Sequence, residues 1–408
     1  MQNFNLLIRD LYWLFSSIFV ASLAFPSPPV HLISLGVITI LAIIYSYFCT
    51  PTFNIKNVLF LSFLFGYFVT NTISHFLYDN EPLFDSKLIR ISYLFIIPFI
   101  IQLGPSVRKK DIKALLKFAH SSIFIFCSLG IVKVFWLYKL GLVSKVFYSS
   151  YAEVLGFHST TISLFVTLAY IHVLFTLLRA HQKKYLGLAL FLQVFYLLVL
   201  YLLAVRISLI AIGAVTFMAF VLGFTKWASW RKLILLLIVP FSLLILGLSF
   251  LNSTYTFKRF SEVDRSDIST ISDLENRKIL WSCGFEVFAN SGKWLLGNGL
   301  RVSQNQLNYC YIQKENLSAA EQNYSVHNQY IQSLVDTGIL GFSFFMLFFG
   351  YLIYLTVKNG DFLITGFLIV FLFFFMTESI FNRAYGVFLF SFISGLFIKY
   401  FSQKKLHV

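Results

Sequence analysis

About twelve stretches of this chain are apolar for long enough to cross a lipid bilayer, and their repeated length constrains the fold more than any other feature. They run approximately over 7–25, 29–49, 57–77, 86–103, 115–138, 155–178, 185–204, 206–224, 231–251, 328–356, 361–378 and 384–401. Roughly 17–25 apolar residues in a helix span about 30 Å of hydrocarbon. Backbone in lipid must satisfy its own hydrogen bonds, so these runs read as helices. Composition agrees: 58% of the 408 residues are hydrophobic and 12% are charged. A soluble domain cannot hide that much apolar surface. The expected class is an all-α, polytopic integral membrane protein.

The charges between the spans alternate in sign. Arg9, Lys56, the cluster Arg108, Lys109, Lys110, Lys113 and Lys117, then Arg179 with Lys183 and Lys184, Lys226 with Arg231 and Lys232, Lys358, and finally Lys399, Lys404 and Lys405 fall on one side. Asp79, Glu81, Asp85, Glu153 and the long polar stretch 252–327 fall on the other. By the positive-inside rule both termini are cytoplasmic and the long loop is outside. The same rule accounts for the net charge of +15, which in a soluble protein would suggest nucleic acid. No basic domain with interleaved aromatics exists outside the spans, so nucleic-acid binding is excluded. The first apolar run lacks a small-residue cleavage site and reads as a retained helix. The expected division is therefore 1–251 as nine spans, 252–327 as an outer loop, and 328–408 as three spans.

Within the loop, 257–273 is polar. Leu274 to Ala289 carries a helical stripe of Leu274, Ile279, Leu280, Phe285 and Phe288, with Asp273 as its cap. Asn290-Ser291-Gly292 ends that helix, Leu295 to Leu300 reads as a tight glycine turn, and 301–326 reads as irregular. Four cysteines occur without a CxxC motif; Cys283 and Cys310 share the loop and could pair, although their spacing carries no signal. No metal-ligand pattern is visible, and no cofactor is expected.

Ionisable groups at membrane edges are costly and call for a functional hypothesis. Arg206 sits in LLAVRISLIAI at the outer face, where an interfacial cation snorkelling to the headgroups is the competing reading. Arg277, between Glu275 and Lys278, could equally be part of a solvated helix face. His327 opens the tenth span, as a proton-transfer group or a helix-opening polar residue. Glu378 and Arg383, in TESIFNRAYG, read as a structural ion pair or as support for a site. Arg90 lies about one turn inside the fourth span, near the same face. His158 reads as a helix-start polar residue. Taken together, guanidiniums and an imidazole gathered on one face suit a phosphate-bearing headgroup. Arginine grips phosphate oxygens in a bidentate fork, and histidine moves protons near neutral pH.

Val326-His327-Asn328-Gln329-Tyr330, then Leu334 and Asp336-Thr337-Gly338-Ile339-Leu340-Gly341, resembles a motif of the O-antigen ligase and polymerase superfamily of bacterial envelope glycosyltransferases. Asp336 stands where that family more often has glutamate. Arg277 with Ile279-Leu280-Trp281, followed by Trp294-Leu295-Leu296-Gly297-Asn298-Gly299, looks like the family's loop-helix segment. Arg206 with Ser208 is similar to its arginine-plus-hydroxyl motif, though Ile207 intervenes. Glu378 to Gly386 resembles a segment of Bacteroidetes-type members. By motif the resemblance covers roughly 200–390, and elsewhere it rests on topology.

The resemblance implies a GT-C-like fold with one large periplasmic loop between helices 9 and 10, in the bacterial inner membrane. It implies transfer of a glycan from undecaprenyl pyrophosphate to an acceptor sugar, such as lipid A-core. On it, Arg206 and Arg277 bind pyrophosphate and His327 is catalytic, with Arg90, Glu378, Arg383 and Asn328 in support. Ligase, polymerase and protein oligosaccharyltransferase differ in their acceptor, and the chain does not identify it. A transporter or flippase would also have about twelve spans, but would be expected to show internal repeats and midplane helix breaks.

Overall fold

A computed structural model describes residues 2–49, 53–79, 85–143, 146, 149–179, 186–223 and 273–403. Among these residues the regular structure is helical, with no strand. In chain order the helices are α1 (Gln2–Ser22), α2 (Pro28–Phe48), α3 (Ile55–Tyr78), α4 (Ser86–Leu103), α5 (Lys109–Lys139), α6 (Ser149–Val154), α7 (Ser159–Arg179) and α8 (Leu186–Leu203). They continue with α9 (Arg206–Gly223), α10 (Asp273–Asn290), α11 (Val302–Gln313), α12 (Leu317–Glu321), α13 (Gln329–Lys358), α14 (Phe362–Thr377) and α15 (Ala384–Gln403). Every expected span that falls on described residues coincides with one of these helices. Eight are long and apolar enough to cross a membrane, and three apolar helices are shorter. The expected ninth span, 231–251, and the polar stretch 257–272 lie outside the described residues.

The helix ends follow local chemistry. Asp85 accepts from the Lys87 amide at 2.6 Å and so opens α4. Asp361 accepts from the Ile364 amide to open α14, and Pro28 occupies the first turn of α2, where no amide donor is needed. The expected irregularity of 301–326 is corrected: α11 and α12 form there. Asn316 caps α12 by accepting from the Ala319 amide at 3.3 Å.

The chain divides into two compact units. The first comprises Met1–Phe126, Arg277–Leu368 and Phe374–Val408. Within it α15 packs on α4, α13 on α3, and α1 on α2. Gly395 lets α15 approach α4 closely, since a Cβ there would come within 2.8 Å of the Pro98 Cα. Buried Lys399 donates to the carbonyls of Ile101, Gln102 and Gly104, completing the last turn of α4. An aromatic cluster of Tyr67, Phe345, Phe348, Phe375, Phe381 and Phe390 joins α3, α13, α14 and α15, with neighbouring rings 5.2–6.4 Å apart. The second unit comprises Cys127–Asn276 and Ile369–Phe373; in it α7 packs against α6, α8 and α9.

Outside the spans, Leu280, Val287, Leu307, Tyr311 and Val326 form a small core together with Ile331 and Val335 of α13. Cys283 and Cys310 form a disulfide that ties α10 to α11. The small core is therefore continuous with the head of α13, and Arg277 is carried on the same element as the disulfide.

Candidate functional site

Two motifs far apart in sequence meet at a break in α13. Gly338 has φ 65° and ψ −166°, a region open to glycine alone. An unbroken helix would pair the Ile339 amide with the Val335 carbonyl, and Leu340 with Asp336. Here the 294–299 loop takes all four groups. Asn298 and Gly299 donate to the carbonyls of Val335 (2.9 Å) and Asp336 (3.1 Å), while Ile339 and Leu340 donate to Trp294 (2.8 Å) and Leu295 (3.1 Å). Gly297 is required at the contact, since a Cβ there would lie 2.5 Å from the Gly338 nitrogen. The sequence shows a glycine turn and a glycine-bearing helix; only the fold shows that each completes the other.

The short segment of α13 before the break is polar and buried. Asp336 accepts from Ser303 Oγ at 2.5 Å and from Gln332 Nε2 at 2.9 and 3.0 Å. Ser74 donates to the Asp336 carbonyl and Tyr67 bonds with Ser333. Gln329 accepts from the Phe381 amide at 2.8 Å, which fixes the turn after α14 against the head of α13. Sequence reasoning missed this network. Its signal was the spacing of Gln329, Gln332, Ser333 and Asp336, which places four polar groups on successive turns of an otherwise apolar span.

His327 sits immediately ahead of that segment with φ 52°, an unfavourable conformation for a residue with a side chain. Both flanks hold it there. The Val326 amide donates to Gln332 Oε1 at 3.1 Å. The Asn328 side chain accepts from the Tyr330 and Ile331 amides at 3.0 and 3.1 Å and donates to the Met376 carbonyl at 3.1 Å. Asn328 is thus the N-cap of α13 and a clasp to α14. The Tyr324 ring meets the imidazole edge-to-face at 5.5 Å.

Glu378 is the centre of the cluster. Its side chain is 7% exposed; one oxygen lies 3.1 Å from His327 Nδ1 and the other 3.6 Å from an Arg277 terminal nitrogen. Arg277 also donates to the Thr377 carbonyl at 2.9 Å. A buried carboxylate needs such partners. Arg90 reaches the same turn by donating to the Asn382 carbonyl, one residue before Arg383. Burial disfavours the charged form of Arg383 and pushes its pKa below the ordinary value, an effect that the nearby Glu378 opposes.

The first unit therefore brings together Arg277, His327, Asn328, Glu378, Arg383 and Arg90. Arg206 opens α9 in the second unit, just after Ala204, whose φ is 50°. His158 precedes α7, with its Nδ1 2.7 Å from Thr160 Oγ1.

These features define a polytopic membrane protein in which an extramembrane helix pair and an inserted loop build a cationic cluster at the head of one span. Residues 188–346 match a family model described as O-antigen ligase, which supports placing the chain in the O-antigen ligase and polymerase superfamily. The match extends over Arg206, Arg277, His327 and Asn328 and stops short of Glu378 and Arg383. A comparison with curated proteins finds no match.

Proposed function

We propose that this protein transfers a glycan from a lipid pyrophosphate, of the undecaprenyl type, to a sugar hydroxyl at the outer face of the inner membrane. The observation that carries the reading is the single carboxylate of Glu378 placed between His327 and Arg277. With Glu378 accepting a proton bond from Nδ1, the imidazole keeps Nε2 for the acceptor hydroxyl. Nε2 takes the hydroxyl proton as the oxygen attacks the anomeric carbon. The bond from that carbon to the pyrophosphate oxygen breaks, and lipid pyrophosphate leaves with one more negative charge. Arg277 answers that charge, and preorganised electrostatic stabilisation of this kind commonly dominates catalysis. No cofactor enters the step.

The Cys283–Cys310 disulfide favours an oxidising compartment for this segment, in keeping with cytoplasmic termini and an outer loop. Lipid A-core is the proposed acceptor. In cells lacking the protein, long unattached glycan supports a ligase, whereas single repeats on lipid would assign a polymerase.

The purified protein with a lipid-pyrophosphate glycan donor tests the chemistry directly. His327→Ala, inserted and folded like the wild type, should lose transfer by about 10²–10⁴-fold, the usual contribution of general acid–base catalysis. Undiminished transfer by that variant would remove His327 from the mechanism.

A further inference from the structure

Glu378 is one carboxylate beside an imidazole and two guanidiniums. It contacts His327 and Arg277 directly, and Arg383 senses it from five residues along the same turn. Arg383 follows a single 3-10 turn, Ile380–Asn382, and stands just before α15. Its backbone is satisfied: the amide donates to Ile380 and the carbonyl accepts from Val387, both at 3.1 Å. Its side chain is half-buried, and among the described residues the guanidinium has neither a hydrogen bond nor an ion pair. Arg90 is no counterpart, being a second cation donating to the adjoining Asn382 carbonyl, with Asp85 as its own acidic neighbour. A guanidinium carries five donors, and half-burying it without an acceptor is costly unless a ligand supplies one.

We propose that Arg383 is a phosphate-binding residue, its guanidinium taking phosphoryl oxygens beside the His327–Glu378–Arg277 cluster. The chemistry fits because two oxygens of a tetrahedral phosphate can accept side by side from the planar guanidinium fork, which has no such acceptor among the described residues. The proposal deepens the transferase reading and rests on it only for the identity of the ligand. The phosphate comes from the lipid pyrophosphate donor or from a phosphorylated acceptor.

The full-length protein in detergent, probed with inorganic pyrophosphate by calorimetry, provides the first arm. Arg383→Gln should weaken binding about tenfold, in line with loss of a charge-assisted hydrogen bond. Transfer kinetics provide the second arm. A raised KM for donor alone assigns the phosphate to the donor. A raised KM for a phosphorylated acceptor alone, abolished when that acceptor is dephosphorylated, assigns it to the acceptor. Unchanged pyrophosphate binding together with unchanged KM values overturns the proposal. Should Arg383→Gln unfold, Arg383→Lys keeps the charge without the fork and should still bind several-fold more weakly; wild-type behaviour of the lysine variant overturns it equally. His327→Ala separates the two ideas, because it should lose transfer while keeping pyrophosphate affinity. Wild-type protein that binds pyrophosphate through Arg383 yet transfers no glycan would sink the transferase reading and leave the phosphate site standing.

Discussion

The two parts of α13 on either side of Gly338 belong to one helix by length, but different forces hold them. The segment 329–337 keeps Gln329, Gln332, Ser333 and Asp336 buried, each with a named hydrogen-bond partner. The segment 339–358 buries Phe345, Phe348, Phe349 and Leu352 among other rings. Hydrogen bonds demand partners at fixed distances and angles, whereas apolar packing tolerates replacement by similar volumes. The polar segment can therefore hold His327 to a defined geometry, and the aromatic one supplies a rigid base for it. The lesson is that a long apolar helix can hold a buried polar segment at one end, provided the break between the two is satisfied by another segment. Here the 294–299 loop does so.

The contrast can be broken most severely at the junction itself. Gly338→Ala puts a Cβ 2.4 Å from the Trp294 carbonyl, in a conformation closed to alanine. Loss of folded protein is expected, seen as aggregation in size-exclusion chromatography. A monodisperse, active Gly338→Ala protein would show that the helix can run through unbroken.

A smaller effect is expected within the polar segment. Asp336→Asn keeps the shape but sets an amide donor against Gln332 or Ser303, costing about 1–3 kcal/mol for an unsatisfied buried group. Its thermal midpoint in detergent should fall, with transfer falling alongside as His327 loses its support. The smallest effect belongs to the aromatic segment. Phe348→Leu should cost under about 1.5 kcal/mol once neighbours repack, and transfer should survive. If that ranking reverses, packing and not hydrogen bonding holds the site.

Much of the architecture was legible in the chain. Apolar run length foretold the long helices among the described residues, and α10 formed at Asp273–Asn290, where the stripe from Leu274 to Phe288 predicted a helix. His327, Arg277 and Glu378 could be singled out because charge at a membrane edge is costly. Their association could not. Glu378 and Arg383 read as a pair from their nearness in sequence, yet the carboxylate contacts Arg277 and His327 across separations of 101 and 51 residues. The helices α11 and α12 went unread because the first is polar and the second is a single short turn, and neither shows apolar periodicity. Burial against α10, together with the Asn316 cap, forms them instead.

The sequence by itself determined the solvent this chain must live in and the long apolar helices that suit it. Those properties follow from local hydropathy and charge, which each segment carries alone. The tertiary structure decided that the glycine loop enters the break in α13 and that one buried glutamate joins an arginine to a histidine. Such pairings depend on backbone groups and carboxylate oxygens coming within about 3 Å after the helices have packed, a distance that no local pattern encodes.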